Sequence, residues 1–369
     1  MIRFIFTWLF LSWLWLFTSC SSHQKKDRQN PSYVFYLGTY TDGESQGIYK
    51  YLLTKNGEIK LQGLQAKTPN PSFLAINADH RFLLAVNENN PGTVSVFAVK
   101  ADTLHFINRQ YAGGDAPCYL AINPNGWVLT ANYGSGTVGL HKIGSSGQLS
   151  PLLDSQKHRF NNRQPHAHSV LFYPKSQQII SADLGTNQLW FSRLDTLNEK
   201  IIAGEQNPLE MPTGSGPRHM VLHPNLPILY VANELGNTVS VIEKAPDSSW
   251  KLLNSYSTLP DGFKETNYVA DLHLSPDNRF LYVSNRGSNT LAIFNVSNDG
   301  KKLKLIDFEP VHGNWPRNFA LTPDGRYLLV ANQKSNNLSL FLRDNSTGKL
   351  KFISKIKAAS PVFILFYSN

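Results

Sequence analysis

Residues 317–341 read RNFALTPDGRYLLVANQKSNNLSLF. An apolar run, a Pro-Asp-Gly turn, a second apolar run and a polar loop before a third run follow one another. Pro presets φ for the turn, and Asp and Gly accept the conformations that come next. Runs of five or six residues rich in Val, Leu and Phe between such turns read as strands. The same order recurs upstream in DLHLSPDNRFLYVSNRGSNTLAIF from Asp271, RHMVLHPNLPILYVANELGNTVSVI from Arg218 and HSVLFYPKSQQIISADLGTNQLWF from His168. It recurs again in PCYLAINPNGWVLTANYGSGTVGLH from Pro117 and PSFLAINADHRFLLAVNENNPGTVSVF from Pro71. A shorter copy, YVFYLGTYTDGESQGIYKY, opens at Tyr33. Gly38, Asn87, Asn132, Asp183, Asn233, Asn285 and Asn332 mark seven units spaced 45 to 52 residues apart.

No stretch sustains a 3.6-residue period. Four short antiparallel strands per unit of this length fit a propeller blade rather than a solenoid repeat. The sequence therefore predicts an all-β, seven-bladed β-propeller with four antiparallel strands per blade. The opening copy lacks its first strand, and the tail SPVFILFYSN from Ser360 matches the start of PSFLAIN. The C-terminal strand is thus predicted to join the N-terminal blade, closing the ring and removing open sheet edges.

The chain has 369 residues, 41% of them hydrophobic, which suits a large core and excludes a disordered chain. The net charge of +9 is dispersed apart from Lys25, Lys26 and Arg28, so no stripe for nucleic acid is present. Two cysteines, Cys20 and Cys118, exclude a disulfide scaffold and a cysteine-built zinc cluster. Residues 1–20, MIRFIFTWLFLSWLWLFTSC, carry a basic Arg3 and an uncharged apolar run from Phe4 to Phe17. That run is short for a spanning helix of about 20 residues and fits the core of a signal peptide. Its end at Ser19-Cys20 resembles a bacterial lipoprotein signal, with Cys20 as the lipidated residue; ordinary secretion or an uncleaved anchor are the other readings. Residues 21–31 are polar and read as a flexible tether, and residues 32–369 as a single propeller domain. This places the protein at the cell envelope, touching the membrane only through a lipid on Cys20, and leaves Cys118 a free buried thiol.

In a four-stranded blade, with strands A to D running outward from the ring axis, the D-to-A and B-to-C loops share one face. Around the starts of A strands fall His166, His168, Arg218, His219, Asp271, His273 and Arg317; around the ends of B strands fall Glu88, Tyr133, Asp183, Glu234, Arg286 and Lys334. The opposite turns carry only generic Asn, Asp, Gly and Pro. This asymmetry predicts a site on the first face, built from loops on a rigid scaffold. Each residue also has a plainer reading. The recurring Asn reads as a turn cap, Arg218 and Arg317 can pair with a neighbouring acid such as Glu234, and His219 and His223 read as packing or surface residues. Trp127, Trp190, Trp250 and Trp315 read as inter-blade packing. His166 and His168 lack a third and fourth metal ligand at recognisable spacing, so no metal and no cofactor is assigned.

The segments PHAHSV, GPRHMVLHP, VANELGNT and LSPDNRFLYVSNRGSNT, with GTYT and GIY near the start, resemble the seven-bladed β-propeller lactonases. That family includes the bacterial propeller-type 6-phosphogluconolactonases and the fungal enzymes that cyclise carboxy-cis,cis-muconate. The resemblance spans Tyr33 to Tyr367 and implies a site of one His, two Arg and one Glu, which fall on His168, Arg218, Arg286 and Glu234. His166, Asp271, His273 and Arg317 join them as candidate substrate contacts. Asp271 stands where many bacterial members have Glu. The implied activity is hydrolysis of a sugar lactone or acidic sugar product. His168 or Glu234 would activate water and the arginines would hold the anion; muconate-type cyclisation and a non-catalytic envelope binding module are the alternatives. No G-x-S-x-G elbow is present, so no nucleophilic serine is expected.

Overall fold

The computed structural model describes residues 33–367 except 101–102. The expected signal segment, Cys20 and the expected tether lie outside the described residues. The strands form seven antiparallel sheets. Blade 2 is Leu74–Ile76, Phe82–Asn87, Thr93–Val99 and Leu104–Tyr111; blade 3 is Pro117–Ile122, Trp127–Asn132, Thr137–Lys142 and Asp154–Lys157. Blade 4 is Ala167–Phe172, Gln178–Asp183, Gln188–Asp195 and Lys200–Ala203, with a short extra strand, Leu209–Glu210, on Gln188–Asp195. Blade 5 is Pro217–Leu222, Ile228–Asn233, Thr238–Lys244 and Trp250–Ser257. Blade 6 is Tyr268–Leu274, Phe280–Arg286, Thr290–Val296 and Leu303–Pro310, and blade 7 is Pro316–Leu321, Tyr327–Asn332, Asn337–Arg343 and Leu350–Lys357. Blade 1 takes its innermost strand, Pro361–Tyr367, from the C-terminus and its other three, Tyr33–Thr39, Gly47–Leu53 and Ile59–Lys67, from the start of the domain. Val34 pairs with Tyr367 and Thr39 with Pro361, so the ring closes as the sequence predicts.

Burial explains the closure. Each junction between neighbouring blades carries its own apolar cluster, including the junction of blades 7 and 1, where Phe35, Leu37 and Tyr51 pack on Leu329, Leu338 and Leu340. The B strands of blades 2, 3, 5 and 7 are buried along their whole length because each is flanked by strands in its own sheet and covered on both faces by adjacent blades. Burying one such Leu or Val side chain contributes about 1.5–3 kcal/mol.

The Asn ending most B strands ties its blade to the end of the preceding one. Asn87 donates to Thr68 Oγ1 (2.8 Å), Asn132 to the Ala112 carbonyl (3.0 Å) and Asn285 to the Thr258 carbonyl (2.8 Å). Blade 4 has Asp183 there, and the reason lies in its partner. His158 Nδ1 is 2.8 Å from Asp183 Oδ2, its Nε2 is 3.1 Å from Ser181 Oγ, and its ring stacks on Trp190 at 4.6 Å. This Asp-His-Ser order matches that of a hydrolytic triad, yet His158 and Asp183 are 0% exposed. No substrate reaches them, and the group pins blade 4 to blade 3.

Candidate active site

The A strands are irregular near the mouth of the ring. In blade 3 the pairing passes from Pro117 to Tyr119, skipping Cys118; in blade 4 from Ala167 to Ser169, skipping His168; in blade 7 from Pro316 to Asn318, skipping Arg317. Blade 5 skips Arg218 and His219, and blade 6 skips Ala270 and Asp271. A bulge frees a side chain from strict up-and-down alternation and re-aims it. These bulges turn His168, Arg218 and Arg317 toward a shared mouth, where the residues after the B strands meet them.

Glu234 stands at the centre. Its Oε2 lies 2.8 Å from Arg218 Nε, 2.9 Å from an Arg286 terminal nitrogen and 4.0 Å from His168 Nε2. Arg218 also donates to the Ala270 carbonyl, and Arg286 to the carbonyls of Tyr268 (3.4 Å) and Val269 (3.2 Å). Arg218 is 1% exposed and the Glu234 side chain 16%, so the carboxylate is the wetter partner. Burial alone would raise the Glu234 carboxyl, but Arg286, Arg218 and Arg317 outweigh it and hold the group below the usual carboxylate range. Burial and the neighbouring Arg218 push Arg286 down to about 9, still cationic at neutral pH. Burial, then Arg218, His219 and Arg317, keep His168 well below the ordinary imidazole value, so it is neutral. His168 Nδ1 lies 3.5 Å from Sγ of Cys118, a free buried cysteine whose thiol burial pushes far up.

Two further groups complete the mouth. His166 stacks on Tyr133 at 4.5 Å and pairs its Nδ1 with the Tyr133 carbonyl at 2.8 Å. Arg317 is 3.6 Å from Glu88 Oε2, which also accepts from the Tyr40 hydroxyl at 2.9 Å. Below them the channel is filled: Phe73 lies 4.1 Å from Tyr119 and 4.0 Å from Phe363, and His219 sits edge-on to Tyr119 at 5.3 Å and to His168 at 5.4 Å. The mouth is therefore a cup with an aromatic floor. Among the described residues, no three His, Cys, Asp or Glu side chains converge to hold a metal ion. A cleft of about 440 Å³ between blades 4 and 5, lined by Gln178, Phe191, Arg193 and Asp247 among others, lacks any comparable convergence of ionisable groups.

The structure brings His168, Arg218, Glu234 and Arg286 together, with His166 and Arg317 beside them. Asp271 and His273 depart from the expectation that they contact substrate. Asp271 is buried, and its oxygens are taken by His219 Nδ1 (2.8 Å), the Leu272 amide (3.0 Å), His273 Nε2 (2.9 Å) and Asn318 Nδ2 (2.6 Å). His273 pairs with Tyr282 near the far end of its strand, away from the mouth. Asp271 instead holds His219 in the floor, a residue that the sequence assigned to packing or surface. Trp315 packs between blades as expected, 6.0 Å from the Tyr268 ring of blade 6, but at the mouth rather than in the core. It lies at the rim, with Lys334 Nζ 3.3 Å and the Arg286 guanidinium carbon 5.4 Å from its ring centre.

Comparison with known proteins agrees with this architecture. The family model described as "Lactonase, 7-bladed beta-propeller" matches residues 34–366. A 6-phosphogluconolactonase of Bacillus subtilis is 31% identical over 299 residues, covering 78% of this chain and 84% of that protein. The solved structure of a periplasmic gluconolactonase of Pseudomonas aeruginosa superposes with a TM-score of 0.87 at 30% identity, covering 92% of this chain and 99% of that one. A Lactobacillus plantarum protein gives a TM-score of 0.85 at 31% identity, covering 92% and 100%. The chain belongs to the seven-bladed β-propeller lactonase family.

Proposed function

We propose that this protein is a lactone hydrolase acting on sugar lactones. The observation that carries the reading is one carboxylate, Glu234, shared by two buried guanidinium groups with a neutral imidazole 4.0 Å away, all at the mouth of the ring. Opening a lactone needs a water to attack the carbonyl carbon while negative charge grows on the carbonyl oxygen. Glu234 is ionised, and the closest approaches of Arg218, Arg286 and His168 run to Oε2, so the water is assigned to Oε1. Proton removal by a positioned base gives about 10²- to 10⁴-fold. Arg218 and Arg286 stabilise the oxyanion, at about 3 kcal/mol for a well-placed donor. When the tetrahedral intermediate collapses, the ring C–O bond breaks and the leaving oxygen takes up the proton, giving the free hydroxy acid. His168, in the tautomer protonated at Nε2, supplies a hydrogen bond to that oxygen.

The N-terminal segment, with Cys20 as a lipid attachment point, puts this chemistry at the envelope. The periplasmic gluconolactonase among its structural neighbours supports that placement. The test is residues 21–369 against glucono-, galactono- and 6-phosphogluconolactone, followed by proton release with spontaneous opening subtracted. Turnover above background that disappears in Arg286→Ala supports the reading; no acceleration of any of the three refutes it. Loss of labelled-lipid incorporation in Cys20→Ser, against incorporation in the wild type, tests the anchor.

A further inference from the structure

Arg286 faces Glu234 on one side and Trp315 on the other, and Trp315 leads to Lys334. Two cations thus approach one indole. Among the described residues Arg286 has Glu234 as its counter-charge, whereas no carboxylate lies within ion-pair reach of the exposed Lys334. Arg317, two residues beyond Trp315, is already met by Glu88 and capped by the Tyr40 ring.

The backbone holds this arrangement in place. Trp315 has a positive φ of 68°, a conformation that costs a bulky residue and persists only when its surroundings impose it. Its amide donates to Asn289 Oδ1 at 2.8 Å, its carbonyl accepts from Gln333 N at 3.0 Å, and Lys334 N donates to the Asn314 carbonyl at 3.2 Å. The backbones that carry the indole and the lysine are therefore held by two loops bonded to one another, and the ammonium rests on the indole ring. A cation over an indole face is attracted by the ring quadrupole, and its remaining N–H donors stay available.

We propose that Lys334, positioned by Trp315, is the anchor for an anionic group, phosphate or carboxylate, on the substrate carbon farthest from the lactone carbonyl. The proposal rests on the lactonase reading and deepens it. With the ring carbonyl assigned to Glu234 and Arg218, Arg286 links that point through Trp315 to Lys334. The proposal assigns the end of the sugar farthest from the carbonyl to Lys334, a positive charge that meets the Trp315 ring but, among the described residues, no carboxylate. A neutral sugar lactone gains nothing from that charge, so Lys334 sets selectivity.

The experiment uses the full-length protein in detergent with gluconolactone (neutral), 6-phosphogluconolactone (phosphate) and glucarolactone (carboxylate). Each is followed as kcat and KM in the wild type, Lys334→Ala, Lys334→Arg and Trp315→Leu, with circular dichroism as the folding control. The expected result is a wild-type preference for one or both anionic lactones, carried by KM. That preference falls about tenfold in Lys334→Ala, is largely kept in Lys334→Arg, and falls in Trp315→Leu although no charge is lost. Raising the salt concentration shrinks it, as for any partly exposed charge pair. The two anionic arms show which group is read. A wild type that prefers the neutral lactone, or a preference untouched by Lys334→Ala, overturns the proposal. If no lactone is turned over, the lactonase reading fails, and calorimetric titration with 6-phosphogluconate, glucarate and gluconate still decides the anchor. Anion binding that needs Lys334 supports it, and binding that ignores Lys334, or no binding, overturns it.

Discussion

Glu234→Gln separates the chemical role of this carboxylate from its electrostatic one. The amide keeps the shape and removes the charge that Arg218 and Arg286 share at 2.8 and 2.9 Å. Breaking a buried ion pair by deleting one partner costs about 3–5 kcal/mol, because the other charge is left unpaired. Here the carboxylate keeps 16% of its exposure, and water screens part of the loss, so the cost falls at the lower end, about 3 kcal/mol. Urea unfolding at pH 7.5 reads it as a shift in midpoint without a change in slope. The kinetic effect points elsewhere. A carboxylate that removes a proton from water takes about 10²- to 10⁴-fold of kcat with it. A carboxylate that only neutralises the arginines does the reverse, since two unbalanced guanidinium groups hold a developing oxyanion more strongly. The assay is initial rate of proton release at saturating lactone, with spontaneous opening subtracted. A Glu234→Gln protein that folds and keeps wild-type kcat would refute the assignment of this residue as the base.

Acid weakens the fold in two stages. Burial and Arg218 hold His219 down to about 4, while the unfolded chain takes up its proton near 6.5. Tyr119 and His168 pack on the ring, Asp271 holds its Nδ1, and Arg317 adds repulsion. The unfolded state therefore binds more protons between these values, and about 3 kcal/mol is lost as pH falls from 6.5 to 4. His168 acts in the same direction, and His273, raised by Asp271 against its own desolvation, acts oppositely and offsets part of the loss. Below about pH 4 the depressed carboxylates Asp183, Asp271 and Glu234 lose their contribution as well; urea midpoints at pH 7.5, 5 and 3.5 should fall in order. Ending the chain after Ser360 removes the innermost strand of blade 1 and exposes Phe35 and Leu37, so the truncated protein should be insoluble or lack a cooperative thermal transition. His158→Ala leaves Asp183 buried without its partner, a loss of about 3–5 kcal/mol visible in thermal unfolding. A variant that stays folded at 25 °C should keep its KM, since His158 lies outside the mouth. Cys118 should react with a thiol reagent only after denaturation, because it is buried and protonated in the native state.

The sequence carried the fold because turn chemistry repeats. Pro-Asp-Gly, Pro-Asn-Gly and Pro-Asp-Asn fall at the same place in three blades, and the missing first strand of one copy is answered by a tail with no partner of its own. It carried the part of the site that follows the B strands, since Glu234 and Arg286 each sit one residue beyond a recurring Asn. It misjudged depth along the A strands. Asp271 and His273 lie two apart, like His166 and His168, and spacing alone puts both pairs at a strand start. The bulges in blades 4, 5 and 6 shift side chains by a position or two, and a bulge without glycine leaves no mark in composition. An indole suits an inter-blade core as well as a rim, so composition does not show that Trp315 packs between blades at the rim. What sets it apart is a positive φ fixed by Asn289, a contact between loops 26 residues apart.

The same irregularities account for how so much charge is tolerated under partial burial. In a continuous ladder the carbonyls of an A strand are used by its neighbour. In blade 6 the pairing jumps from Val269 to Leu272. The Ala270 carbonyl accepts from Arg218, and the Val269 carbonyl, at the edge of the break, accepts from Arg286. A guanidinium group has five donors in a rigid fork, and every donor left unmet in the interior costs free energy. The break in blade 6 thus supplies acceptors to cations that enter from the bulge of blade 5 and from the end of the B strand in blade 6. Glu234, one residue past the B strand of blade 5, then needs to balance charge but does not have to satisfy every N–H. The closest approaches of Arg218, Arg286 and His168 all run to Oε2, which suits Oε1 to meet water rather than the protein, the condition a base needs.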